Sequence, residues 1–333
     1  MPHAARLHAF GQASESLTFS EVPAARPGPG EVLLEMLAAP VNPADINVIE
    51  GTYGDLPPLP ATIGNEGAGR AVELGQGVAG VLPGQLVLPM AFGTWCSHMV
   101  VPANALIPLP DGLDPFQAAM LTVNPATAWR MLHDFAPLEP GDWIVQNAAN
   151  SGVGRGVIQI AKALGWKTLN VVRREALAPE LLASGADVVV TEEVDLRKEW
   201  KSLCGGVRPK LALNAVGGPS SLNIANALAP GSTMVTYGAM SKLPVKIPNG
   251  LLIFQGLKFQ GFWLKRWREN APAAALQETY RSLAALLKAG DLHTPVHATF
   301  PLARVAEAVV EAGRGGRGGK VLLDLASESG RES

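Results

Sequence analysis

Residues 143–165 carry the arrangement with the clearest chemistry. Trp143 to Ala148 reads as a buried strand, Ala149-Asn150-Ser151-Gly152-Val153-Gly154 as a tight turn, and Val153, Val157, Ile160, Ala161 and Leu164 recur at helical spacing until Gly165. Small residues there let backbone N–H groups approach a diphosphate at the positive end of a helix. Ala149 and Ser151 replace the first two glycines of a G-x-G-x-x-G fingerprint, Gly154 keeps the third, and Asn150 and Ser151 add side-chain donors. An ordinary strand-to-helix turn is the competing reading, opposed by where the next strand ends. Roughly 20 residues after such a turn an acidic residue accepts the ribose 2′-OH of NAD, whereas arginine pairs with the 2′-phosphate of NADP. Here Arg173-Arg174 come first, with Glu175 beside them. One charge-assisted hydrogen bond contributes about 1.5–3 kcal/mol, about a tenfold preference or more. The expected cofactor is NADPH.

Dehydrogenases that join a barrel to a dinucleotide domain often polarise a carbonyl with zinc, which needs Cys, His or Glu ligands and an open position. Gly64-Asn65-Glu66 stands where such enzymes place Gly-His-Glu, and Asn42-Pro43-Ala44-Asp45 offers no cysteine. No metal is expected. Substrates activated by conjugation, such as a polarised C=C bond, then fit best: hydride goes to the β-carbon and a proton to the α-carbon. Tyr53, in Gly51-Thr52-Tyr53-Gly54, is the candidate donor, because a phenol with pKa about 10 is protonated at neutral pH. A packed loop tyrosine is the plain alternative.

Several elements must position these groups. Up to about residue 112 the pattern is short strands broken by Gly and Pro, as in a compact β-barrel. Residues 74–110 contain no Asp, Glu, Lys or Arg, yet glycines and prolines cut them too finely for a membrane span. Asp114 and Pro115 read as the N-cap and first residue of a helix. From Trp143 apolar strands alternate with helices, the signature of a doubly wound parallel sheet. Two helical patterns, 276–289 and 302–312, and a strand at Lys320–Asp324 close the chain.

At 333 residues two domains are natural, and 47% apolar residues suffice for two cores. A formal charge of −2 gives no general attraction to nucleic acid or anionic membrane. Two cysteines, Cys96 and Cys204, are too few for a disulfide framework and indicate a reducing compartment. The N-terminus has no apolar export segment, so a cytoplasmic location is expected.

A wider pattern joins these motifs: Val41-Asn42-Pro43-Ala44-Asp45-Ile46-Asn47, Gly64-Asn65-Glu66-Gly67, residues 121–128 (Leu-Thr-Val-Asn-Pro-Ala-Thr-Ala), residues 147–154, Leu213 to Gly218, Thr236 to Met240, and Gly261-Phe262-Trp263-Leu264. It resembles, over nearly the whole chain, the mitochondrial-type trans-2-enoyl-thioester reductases, a zinc-free branch of the medium-chain dehydrogenase/reductases. The resemblance implies an α/β architecture with a GroES-like β-barrel catalytic domain (1–113 and 268–333) and an NADP-binding Rossmann domain (114–267). It implies Tyr53 as proton donor, Trp263 as a wall near nicotinamide and substrate, and cofactor contacts from Asn124, Asn150, Ser151, Gly152, Val153, Arg173, Arg174, Tyr237, Gly238, Ala239, Met240, Phe262, Trp263, Leu264, Lys265 and Lys320. Two departures stand out: Arg174-Glu175 occupies a place where the family carries an acid followed by an arginine, and Ala239 replaces a glycine.

The expected reaction is NADPH-dependent reduction of an enoyl thioester, carried on CoA or an acyl-carrier protein, by a homodimer. A quinone or enone oxidoreductase is the nearest rival. An NADPH-carrying RNA-binding or regulatory protein is a distant one, suggested by Arg314-Gly315-Gly316-Arg317-Gly318-Gly319. That segment reads better as a loop in a chain that is acidic overall.

Overall fold

The computed structural model describes residues 1–326. The chain forms two compact units, one comprising Met1–Val123 and the chain from His293, the other Asn124–Leu292.

The first unit runs β1 (His3–Leu7), α1 (Ala13–Ser16), β2 (Leu17–Glu21), β3 (Glu31–Pro40), α2 (Pro43–Ile49), β4 (Ala61–Thr62), β5 (Ala68–Leu74), β6 (Leu86–Pro89), β7 (His98–Pro102), β8 (Leu106–Pro108) and α3 (Pro115–Ala119). The second runs α4 (Asn124–Asp134), β9 (Trp143–Gln146), α5 (Gly152–Ala163), β10 (Lys167–Val172), α6 (Ala178–Ala183), β11 (Val188–Thr191), α7 (Leu196–Leu203), β12 (Leu211–Asn214), α8 (Gly218–Ala227), β13 (Thr233–Thr236), α9 (Asn249–Ile253), β14 (Lys258–Gly261), α10 (Leu264–Asn270) and α11 (Ala273–Ala289). The chain then re-enters the first unit as β15 (Val296–Pro301), α12 (Val305–Gly313) and β16 (Lys320–Asp324).

In the first unit, strands pair in the order β15-β16-β3-β5-β6-β8, with β7 also on β3, and β2-β1-β4 form a second sheet. Alternation along β3 places Val32, Leu34, Met36 and Ala38 inward. Of these, Val32, Leu34 and Met36 join Leu7, Ile63, Trp95, Val321 and Leu323 in one core. The charge-free stretch 74–110 supplies β6, β7 and β8, so its apolar character is that of barrel strands. No helix among the described residues is long and apolar enough to cross a membrane.

The second unit is a parallel sheet in the order β11-β10-β9-β12-β13-β14. That is the strand order of a dinucleotide fold, reversing direction beside β9, the strand that precedes the small-residue turn.

The division falls at Val123/Asn124 and Leu292/His293, whereas the sequence placed it at 113/114 and 267/268. Helix α3 packs on β3, β5 and β6, and so belongs with the barrel. Helix α11 packs along α4 in the second unit, where Arg130 Nη1 donates to Thr279 Oγ1 at 3.4 Å. Residues 327–333 of the sequence-based range lie outside the described residues.

Candidate functional site

After β9 the chain turns sharply through Ala148, whose φ of 48° is left-handed, and Ser151 caps α5, its Oγ accepting from Gly154 N at 3.1 Å. The first N–H groups of a helix have no acceptor within it, so this end presents donors and a positive dipole. Gly154 is required sterically: a Cβ there would lie 2.6 Å from the Ala149 carbonyl oxygen. A Cβ on Gly152 would lie 3.0 Å from the Asn124 amide nitrogen, so the fold brings Asn124, on α4, against the turn. Arg155 secures the turn from outside, donating to Asn150 O at 3.1 Å and pairing with Glu180 at 2.7 Å.

The other cofactor candidates of this unit gather at the carboxyl ends of the same strands. Arg173 and Arg174 follow β10 and are exposed. Tyr237 to Met240 follow β13, pinned by Tyr237 N to Asn214 O and Met240 N to Ala215 O, each at 3.0 Å. The Tyr237 hydroxyl is buried near the Ser151 side chain but meets no described residue at full hydrogen-bond geometry. Burial pushes its pKa well above the usual tyrosine value, with Ser151 opposing, so it remains a proton-bearing donor beside the turn. Gly238 lies where a Cβ would sit 3.0 Å from Ala215 O, whereas Ala239 and Met240 are exposed. Phe262 to Lys265 follow β14: Phe262 meets Phe135 edge-on at 5.9 Å, Leu264 is buried, Lys265 stands 5.9 Å from the Trp263 ring, and Trp263 is 45% exposed.

Two candidates lie in the first unit. Tyr53 is partly buried on the turn after α2, its backbone N–H and that of Thr52 both donating to Asn47 O, at 3.1 and 2.8 Å. Lys320 opens β16, and its Nζ donates to Asn42 Oδ1.

Sequence reasoning missed two buried polar groups. Under the first unit's surface, Glu66 Oε1 accepts from Asn42 Nδ2 at 2.6 Å, and Oε2 accepts from Thr122 Oγ1 at 3.1 Å and Val123 N at 2.8 Å. Asp45 accepts from Asn42 N at 2.8 Å, Asn65 N at 3.1 Å and Asn65 Nδ2 at 2.7 Å. Burial pushes the Asp45 carboxyl up to about 6, against the lowering effect of these donors. Burial also lowers the Lys320 pKa, opposed by Glu66 and Asp45. The residues at the positions compared above with zinc ligands thus bond to one another. Among the described residues no group of three or more His, Cys, Asp or Glu side chains is placed to hold a metal ion.

Beneath the turn before α5 lies an amide ladder. Asn147 Nδ2 donates to Asn214 Oδ1 at 2.9 Å and its Oδ1 accepts from Ala215 N at 2.7 Å; Asn214 Oδ1 also accepts from Val216 N and Gly217 N, at 3.2 and 3.0 Å. Gln146 donates to Gly154 O at 2.9 Å and Asn170 Oδ1 at 2.8 Å. The available signal was amides ending otherwise apolar strands. In the Arg-Gly segment, Arg314 pairs with Glu311 at 2.7 Å and Arg317 Nε donates to Arg314 O at 2.8 Å, so both arginines are engaged in local contacts.

Residues 28–111 match the alcohol dehydrogenase GroES-like domain, and 152–281 the zinc-binding dehydrogenase family. The chain is 47% identical over 279 residues to the mitochondrial enoyl-acyl-carrier-protein reductase of Rattus norvegicus, covering 82% of this chain and 75% of the relative. It is 44% identical over 312 residues to the same-named protein of Xenopus tropicalis, covering 91% and 89%. Among solved structures, a Bacillus thuringiensis protein provisionally named an NADPH:quinone reductase superposes with a TM-score of 0.88 at 30% identity, covering 97% and 98% of the two chains. Etr1p in complex with NADP and crotonyl-CoA gives 0.84 at 32%, covering 97% and 99%. The Etr1p/Etr2p 2-enoyl thioester reductase heterodimer of Candida tropicalis gives 0.83 at 32%, with the same coverage. The relatives' mitochondrial naming overturns the expectation of a cytoplasmic location. Two free, buried thiols fit any reducing compartment and never discriminated between them. By identity and coverage, the chain belongs to the enoyl-acyl-carrier-protein reductases, within the medium-chain dehydrogenase/reductase superfamily.

Proposed function

We propose that Tyr53 is the proton donor of an NADPH-dependent reduction of the C=C bond of 2-enoyl thioesters, the activity this family membership brings to the chain. The observation that carries the cofactor reading is the gathering of Ser151-capped α5, the exposed Arg173-Arg174 pair and the buried Tyr237 hydroxyl at the carboxyl ends of one parallel sheet. These residues fit NADPH: the close backbone approach and helix N-terminus suit the diphosphate, and the arginines suit the 2′-phosphate. When bound, NADPH supplies the hydride that adds to the substrate β-carbon. The Tyr53 hydroxyl protonates the α-carbon, Trp263 forms an aromatic wall beside the reacting groups, and Asn124 holds the turn's approach to the cofactor.

The thioester carrier is CoA or an acyl-carrier protein. The assembly is a homodimer, supported by the outer edge of β14, which pairs with no further strand among the described residues, and by the neighbouring Ile253 and Phe254, 70% and 86% exposed. Light scattering on the purified chain tests the stoichiometry; a monomer at micromolar concentration sinks it.

General acid catalysis is typically worth about 10²–10⁴-fold. Tyr53→Phe is therefore expected to lower the single-turnover rate with crotonyl-CoA by that order while the NADPH Kd stays put. An unchanged rate removes Tyr53 from the chemistry. Steady-state comparison of crotonyl-CoA, a quinone and a free enone, each with NADPH, separates the thioester reading from the quinone reductase alternative that the Bacillus thuringiensis likeness keeps in view.

A further inference from the structure

Helix α2 links two features described so far only separately. Its C-terminal turn carries Tyr53, because Asn47 O receives the backbone N–H groups of both Thr52 and Tyr53. Its N-terminal end is Asn42, whose backbone N–H is taken by Asp45 and whose side-chain amide is held by Glu66 at 2.6 Å. A helix this short, Pro43–Ile49, tilts as one piece, so whatever fixes Asn42 fixes the turn at the other end.

We propose that Glu66 is a positioning residue for proton delivery, holding α2 at its N-cap so that the Tyr53 turn stays aligned with the substrate α-carbon. The inference rests on the assignment of Tyr53 as donor. Several facts mark Glu66 as the hub. Its side chain is fully buried, and donors converge on both oxygens: Asn42 on Oε1, Thr122 and Val123 on Oε2. Its backbone carbonyl accepts from Thr94 Oγ1 at 2.8 Å, so the acid cannot shift without disturbing its own strand connection. Lys320 reaches the other side of the Asn42 amide, donating to Oδ1, which fixes that amide's orientation and aims its N–H₂ at Glu66. The carboxylate that holds Asn42 also holds Thr122 and Val123, so one side chain fastens the Tyr53 helix to the segment that follows α3 within the same unit.

A carboxylate suits this place because it accepts at both oxygens; a glutamine of the same shape must present an N–H₂ to a donor on one side. Glu66→Gln is thus a shape-preserving way to release the hub. Misplacement of a reacting group by about 1 Å costs up to about 100-fold in rate. The expected result is a single-turnover rate with saturating crotonyl-CoA lowered about 10- to 100-fold, a larger solvent isotope effect, and an NADPH Kd changed less than about twofold.

A double-mutant cycle with Tyr53→Phe separates positioning from general damage. If Glu66 acts through Tyr53, Glu66→Gln lowers the rate of the Tyr53→Phe enzyme by less than about twofold, because the group it aligned is gone. Equal fold losses in both backgrounds overturn the inference and leave the Tyr53 assignment standing. An unchanged rate for Tyr53→Phe alone overturns that assignment and the positioning role with it. Should Glu66→Gln fail to fold, Asn42→Ser carries the same cycle: serine still caps α2 but is too short to reach Glu66. Rates unaltered in Asn42→Ser likewise overturn the proposal.

Discussion

The buried polar residues of the first unit include charged ones, Asp45 and Glu66, which gather around Asn42 with the half-buried Lys320. Those of the second are neutral: Gln146, Asn147, Asn170 and Asn214 run between neighbouring strands as donors and acceptors in turn. A carboxylate only accepts, so it suits a hub on which donors converge; an amide does both, so it suits a ladder. Neutral amides also leave the field at the sheet's carboxyl ends, the proposed site of the polyanionic cofactor, to the helix dipole and the two arginines. On the roles proposed above, the contrast teaches that the barrel holds its proton donor with charge, while the dinucleotide unit holds its loops without disturbing the potential its cofactor reads.

The sharpest way to break this contrast is to make the ladder apolar. Asn214→Leu strips the acceptor shared by Asn147 Nδ2, Val216 N and Gly217 N. An unsatisfied buried donor costs about 1–3 kcal/mol, so a loss of about 3 kcal/mol or more is expected in urea unfolding. A loss under about 1 kcal/mol would show the amides to be passive filling.

Titration tests the charged side. Asp45 is raised to about 6 from an ordinary value of 3.8, so across that window the folded chain keeps a proton that the unfolded chain releases. Stability from this group is therefore present below the unfolded value and lost as pH rises towards 6, by up to about 3 kcal/mol at about 1.4 kcal/mol per unit. Asp45→Asn has no such slope. The stability difference between wild type and variant should shrink between pH 4.5 and 6.5. A constant difference would mean that the hub is ionic throughout.

Arg173→Ala probes the field that the neutral ladder leaves open. Loss of one charge-assisted bond of about 1.5–3 kcal/mol should reduce the NADPH-over-NADH preference in kcat/KM about 10- to 100-fold. Comparable efficiency with both cofactors in the wild type would sink the arginine reading. The smallest effect is expected at Glu180→Gln. This half-exposed partner of Arg155 should cost under about 1 kcal/mol of stability and leave NADPH affinity nearly unchanged.

Legibility followed sequence distance. Asp114-Pro115 announced α3 because its cap is local, with Asp114 Oδ1 taking Phe116 N at 3.2 Å. The parallel sheet was readable because each strand and helix is contiguous. Which unit α11 joins was not, since an amphipathic stripe fixes burial but not the partner, and the boundary moved accordingly. The Glu66 hub was hidden for a related reason. Asn42, Asn65, Thr122 and Lys320 are scattered along the chain, and only folding turns an apparently vacated metal-ligand position into a hydrogen-bonded cluster.

Gly154 carries a lesson for finding such proteins. Its side-chain space is occupied by the Ala149 carbonyl, backbone against backbone, which no repacking relieves, whereas Ala149 and Ser151 stand where the fingerprint asks for glycine and the turn still closes. Genome searches that weight the first two glycines discard chains of this kind. A search keyed to one glycine, three residues after a capping serine that follows an apolar strand, retrieves them.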